Sequence, residues 1–248
     1  MMTTSSRWQR LLLLLRSRQT DANQGITLVE CIMAIAVISL TTAMITPPLF
    51  LAAATRLQNQ RAEQALQIAQ GEIDRIRFLV ERQQHIPSAL PATVTGTSLA
   101  NVGAPTGFTA TVQTTVRQGN QNCQTYDGQQ VPRTQALLVD TDGDCRGDFA
   151  VQMFRTVGVT PRSEVSVIPG DGRRNRPGSF CIMVRVYGKP AIENAQNGGL
   201  LATQPASLLF TSGEGDQRTQ PLAVLTTPIT WSDRAFSADS IRDSNGRC

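Results

Sequence analysis

A single acid, Glu30, sits near the start of an apolar run that begins at Gly25 and continues to about Ala54. It is the only charge in that run. A run of this length is enough to cross a bilayer as a helix. A carboxylate inside it is costly, which marks Glu30 as a functional residue waiting for a partner charge. The opposing reading is an interfacial acid tolerated near a helix N-terminus, where the helix dipole favours negative charge.

A second set of carboxylates lies in Asp140-Thr-Asp-Gly-Asp-Cys-Arg-Gly-Asp148. Asp140, Asp142 and Asp144 alternate and Asp148 follows, as at the start of a calcium loop. The pattern departs from that loop where Cys145 replaces the sixth-position Gly and Val151 the final Glu. Two readings stay open: a calcium site, and an acidic hairpin turn pinned by a disulfide at Cys145. No cofactor is required by either. Asp171-Gly-Arg-Arg-Asn-Arg176 is a basic loop that could meet an anionic polysaccharide or DNA, but a solvated turn is the plainer expectation. The only histidine, His85, follows the end of a helical pattern and is expected to be exposed. With one histidine, no Ser/His/Asp triad is readable, and neither a P-loop nor a dinucleotide fingerprint occurs. The chain reads as a non-enzyme.

Five cysteines are present. Cys31 lies in the apolar run and reads as a small apolar side chain. Cys123, Cys145, Cys181 and Cys248 all lie far beyond it, which fits two disulfides in an oxidising compartment. Three connectivities are possible. Pairing of sequence neighbours favours Cys123 with Cys145 and Cys181 with Cys248. The absence of a CxxC pair argues against zinc.

Residues 1–25 form a polar leader with Arg7, Arg10, Arg16 and Arg18 against Asp21. Removing it leaves 19 basic and 18 acidic residues, so the net charge of +4 belongs mostly to the leader and gives no reason to expect nucleic-acid binding. The leader arginines are expected to stay in the cytoplasm. The Leu11–Leu15 run is too short for a secretory h-region. Gly25, Thr27, Leu28, Val29 and Glu30 stand where the type IV pilins and pseudopilins carry their cleavage motif, and the chain from Gly25 to about Arg82 resembles that family. Ile26 stands where the family usually has Phe. Pro47, doubled by Pro48, falls where many pilins have a helix-kinking proline.

The resemblance implies cutting by a prepilin peptidase between Gly25 and Ile26 and methylation of the new amine. It also implies that Glu30 sets subunit register in a filament. Other pilins or pseudopilins, a pilus or secretion assembly platform and membrane lipid would be the partners. The Gln/Asn/Thr-rich style is similar to cyanobacterial pseudopilins of hormogonium polysaccharide secretion, which would imply polysaccharide export and gliding. The protein would sit in the inner membrane, N-terminus cytoplasmic and distal domain periplasmic, until assembled. The rival reading is a signal-anchored adhesive or ligand-binding module.

These residues need a scaffold. Residues 26–51 are expected to span the membrane, loosened near the outer face by Pro47 and Pro48. Residues 52–85 continue the helix amphipathically, with Leu57, Ala62, Ala65, Leu66, Ala69, Ile73, Ile76 and Val80 on the buried stripe. Residues 86–248 form a β-rich domain, opening with a loop over 86–107. Strands are expected at Phe108–Val116, Ala136–Val139, Phe149–Val159, Cys181–Tyr187, Ser207–Phe210 and Leu222–Thr230. The fold class is α+β and pilin-like: a long N-terminal helix packed on an antiparallel sheet.

Overall fold

The computed structural model describes residues 27–114, 126, 128–161, 164, 175–207 and 216–231. Helix α1 spans Leu28–Glu81. The chain divides into two units, Met1–Ala52 and Ala53–Cys248.

In the first unit, α1 presents Leu28, Val29, Ile32, Met33, Ile35, Val37, Ile38 and Leu40 outward. The helix is long and apolar enough to cross a membrane. Its polar side chains are satisfied locally. The hydroxyls of Thr41, Thr42 and Thr46 donate to the carbonyls of Ile38, Ile38 and Thr42, at 2.9, 2.8 and 2.6 Å. Such back-bonding removes the cost of a hydroxyl in an apolar setting. The helix is assigned without a break through Pro47 and Pro48, although neither proline can donate to the preceding turn.

In the second unit, the same helix buries Ala65, Ala69, Glu72, Ile73, Ile76 and Val80. The spacing of three and four residues places them on one face. Leu66 falls off that face and is 39% exposed, and Leu57 is exposed as well, so the buried stripe is narrower than the sequence pattern suggests.

Among the described residues, six strands form one sheet: β1 (Ala92–Val94), β2 (Gly107–Thr114), β3 (Gln135–Asp140), β4 (Phe149–Thr156), β5 (Ser179–Gly188) and β6 (Ala223–Thr230). The order is β2-β3-β4-β5-β6, with β1 on β4. β3–β4, β4–β5 and β5–β6 are antiparallel, whereas β2–β3 and β1–β4 are parallel. The sheet is therefore mixed rather than purely antiparallel. The connection from Thr114 to Gln135 is long enough to permit a parallel neighbour, which a tight hairpin could not. β1 arises inside the expected 86–107 loop because β3 covers only the Phe149–Val151 part of β4, leaving Phe154–Thr156 open to Ala92–Val94. β4 stops at Thr156, short of the expected Val159, because Gly158 turns with φ +75° and a side chain there would strike the Ser179 carbonyl. Ser207 lies outside any strand, and Leu208–Phe210 lie outside the described residues. Helix α2 (Lys189–Gln196) was not expected, although Pro190 in its first turn and Gly198 just past its end are ordinary helix punctuation.

Both faces of β4 and β5 are covered. Val151, Met153, Phe180, Ile182, Val184 and Val186 meet α1. On the far face, Ala150 and Tyr187 meet α2, while Phe154 and Met183 meet Leu99 and Val102. Two buried arginines tie irregular chain to the sheet, Arg185 on the far face and Arg155 on the α1 face beside Phe180. Arg185 donates to the carbonyls of Val102 and Ala100 at 2.7 and 3.3 Å, and Arg155 donates to Pro91 at 3.1 Å.

Ile76 is fully buried between helix and sheet. Ile76→Ala should lower the unfolding free energy by about 2–4 kcal/mol, through lost apolar burial and a cavity. Leu66→Ala should change it by less than about 0.5 kcal/mol. Denaturant midpoints of the two variants in matched detergent check this.

Candidate functional site

The N-terminus of α1 explains how Glu30 is placed. Thr27 precedes the first helical residue, its Oγ1 accepts the Glu30 N–H at 3.2 Å, and its carbonyl accepts the Cys31 N–H at 3.1 Å. Thr27 is therefore the N-cap and Glu30 the third helical residue, the spacing of a capping box. Glu30 sits in the first turn, where the dipole favours its charge. Gly25 and Ile26 lie outside the described residues, so the geometry of a cut end and its amine is not on view. Cys31 is a free, exposed thiol beside Glu30.

The acidic loop folds around its own carboxylates. Asp140 is fully buried. Its Oδ1 accepts the amides of Asp142 and Gly143 at 3.1 and 2.7 Å, and its Oδ2 accepts the Cys145 amide at 3.0 Å. Asp148 Oδ2 accepts both the amide and the hydroxyl of Thr141, at 3.0 and 2.6 Å. Asp144 accepts the Arg146 amide at 2.7 Å. Asp140, Asp142 and Asp148 bring one oxygen each to within 4.8 Å of one another, while Asp144 stands outside that trio. Cys145 takes φ +65°, the left-handed conformation that Gly adopts at the equivalent place in a calcium loop.

Burial alone would raise the Asp140 carboxyl, but amide hydrogen bonds from Gly143, Cys145 and Asp142 outweigh it and hold the group below its ordinary value. For Asp142 the Asp144 amide pulls downward. Desolvation and the charges of Asp148 and Asp144 overcome it, so the net shift is upward. Lys189 Nζ stands 3.9 Å from Asp148 Oδ1. The loop's own amides and the Thr141 hydroxyl thus engage these carboxylates, and three of them converge.

Cys145 and Cys181 are disulfide-bonded. They cannot bond each other. Cys145 follows β3 beside Asp140, near the Phe149 end of β4, whereas the Cys181 amide bonds Thr156 Oγ1 at the other end. Eight strand residues separate those ends, far beyond the roughly 4.4–6.8 Å between α-carbons that a disulfide allows. With Cys31 free, one of the three connectivities is eliminated. Cys123 and Cys248 lie outside the described residues.

Two expectations are corrected at the end of α1. His85 is fully buried rather than exposed. Its ring meets Trp231 edge-on at 4.8 Å, and neither ring nitrogen has a partner at normal hydrogen-bond geometry. Burial, then the Arg176 charge, push its pKa down to about 4 against the weaker pull of the Leu79 and Pro177 carbonyls and of Glu164. The chain turns inward because Gln83 takes φ +59°, closing the helix with Gln83 and Gln84 amides on the Val80 and Leu79 carbonyls. Arg176 is not part of a solvated turn either. It is buried, bidentate to Glu164 at 2.8 and 2.9 Å, and donates to the Gln83 carbonyl at 2.6 Å. Residues 171–174 of that basic loop lie outside the described residues.

A groove of about 440 Å³ runs between α1 and the β2–β3 edge, floored by Ile68, Gly71 and Val139 and walled by Glu72, Arg75 and Gln113. Glu72 is buried and paired with Arg75 at 2.8 Å. The sequence pattern gave no sign of the groove, because its walls come from segments far apart in the chain. The layout, a long N-terminal apolar helix packed on a sheet, is pilin-like. No protein-family model, curated protein or solved structure matches the chain.

Asp140→Ala strips three amides of their acceptor. It should cost about 2–4 kcal/mol of stability, with or without millimolar calcium. Thermal melts in calcium and in chelator check this, and a loss confined to the calcium arm would assign the loop's order to the cation instead. Non-reducing peptide maps should show Cys145 and Cys181 each joined to Cys123 or Cys248, never to each other.

Proposed function

We propose that this chain is a structural subunit of a type IV pilus-like or type II secretion-like filament, a pseudopilin or minor pilin rather than an enzyme. The observation that supports it is the double use of α1. Its first half carries mostly apolar side chains, a few hydroxyls bonded back to the helix, and a single acid, Glu30, in its first turn. Its second half contributes Ala65 through Val80 to the domain core. An anchor that served only to tether would not need to continue as a core element.

On this reading a prepilin peptidase cuts between Gly25 and Ile26, and the freed, methylated amine of Ile26 meets Glu30 of a neighbouring subunit. Ile26 and Glu30 lie four residues apart, one turn of a helix. The pairing sets axial register in a filament whose core is built from residues 26–51. The subunit waits in the inner membrane with residues 52–248 in the periplasm and is then extracted by its assembly platform. Export of polysaccharide in support of gliding is the finer form of the proposal, and calcium at Asp140, Asp142 and Asp148 is an optional part of it.

The groove beside Gly71 favours a second reading, an anchored ligand-binding module, because a side chain at that helical glycine would meet nothing within 4 Å. Such a module would work without cleavage. Gly25→Val separates the two: it should abolish function in a filament subunit and leave an anchored binder intact.

Glu30→Ala should be cleaved and inserted normally but enter filaments poorly when expressed beside wild type. The uncompensated amine left behind costs about 3–5 kcal/mol in a low-dielectric setting. Quantitative recovery of the tagged variant in sheared filaments checks this, and incorporation equal to wild type would remove Glu30 from the register role.

A further inference from the structure

The protein's only histidine stands at a junction of four chain segments. His85 comes from the end of α1, Glu164 follows β4, Arg176 precedes β5 and Trp231 follows β6. Arg176 links all of them. It is bidentate to Glu164, donates to the Gln83 carbonyl and stands 4.9 Å over the Trp231 ring. Trp231 in turn receives the His85 ring edge-on and donates its amide to the Gly178 carbonyl at 2.8 Å.

Among the described residues, the charged groups that face His85 are Arg176 and Glu164. The single carboxylate already holds the guanidinium with both oxygens. A proton on His85 would add a second cation to a buried site with no second anion among the described residues. The imidazolium would also have two N–H groups and no acceptor in good geometry. Water can solvate it only if the junction opens. We propose that this junction is an acid-sensitive latch: protonation of His85 releases the end of α1 and the Trp231 crossing while the β3–β5 sheet stays closed.

The direction follows from linkage. The closed-state value, about 4, lies below the ordinary 6.5 of an open histidine. Closure is therefore complete above about pH 6.5 and weakens as pH falls from there towards 4. Between pH 7 and pH 5 that difference amounts to roughly 20-fold in the closing equilibrium.

The test is hydrogen exchange on the detergent-solubilised full chain at pH 7 and pH 5, corrected for intrinsic rates. The informative amides are Gln84, Gly178 and Trp231, which bond the carbonyls of Leu79, Val159 and Gly178. Their protection should fall roughly 20-fold in wild type and under about 3-fold in His85→Phe, with Val151 and Val184 unchanged in both. Equal loss at Val151 and Val184 would mean global unfolding and overturn the latch. Should His85→Phe not fold, His85→Gln takes its place beside the wild-type imidazole NMR signal, which a lone histidine makes unambiguous. A signal titrating near 6.5 with undiminished protection would also overturn the proposal.

Discussion

The folded part of this protein depends on the fit between one face of α1 and the inner face of the sheet. Ala65 and Ala69 are fully buried and short, so the helix backbone can approach the strands closely there. Ile73, Ile76 and Val80 then fill the space towards the helix end. Each large side chain is worth about 1.5–3 kcal/mol of burial. Without that face, Phe180, Ile182, Val184 and Val186 would lie bare on one side of β5, and the Asp140 loop would lose the β3–β4 frame that positions it.

Among the described residues, buried arginines hold the irregular segments in place. Arg155, Arg176 and Arg185 all donate to backbone carbonyls, and only Arg176 also holds a carboxylate. Burial lowers the Arg155 guanidinium to about 10, still far above neutrality, so the group remains a cation. A planar fork with five donors can grip several carbonyls at once, which suits loops that offer no ladder of their own. Gln152 serves the same end beside Arg185, donating to the Gly103 and Arg133 carbonyls at 3.0 and 2.7 Å.

Local signals in the sequence were strong where period and punctuation agreed. The helix, its buried Ala65–Val80 face and the cores of β2 through β6 follow from spacing and alternation. What could not be read was set by partners distant in the chain. His85 looked exposed because nothing local says that Trp231 and Arg176 come to cover it. β1 exists only because β3 leaves half of one β4 edge open. The parallel β2–β3 pair depends on a connection whose path no pattern reports. At the acidic loop the spacing of carboxylates was legible, but their use as acceptors for the loop's own amides became visible only with geometry. α2 carries its own local punctuation, with Pro190 in its first turn and Gly198 just past its end.

At the N-terminus, the Thr27 cap and the first-turn position of Glu30 are compatible with an ordinary helix start and with a filament register charge. What separates the two is whether the chain is cut to expose an amine next to that acid. Intact-mass spectrometry of the protein extracted from membranes measures this most directly. The account predicts a mature chain that begins at Ile26 and carries one added methyl group on its N-terminal amine. A chain that retains residues 1–25, or one that begins well beyond residue 45, would contradict it.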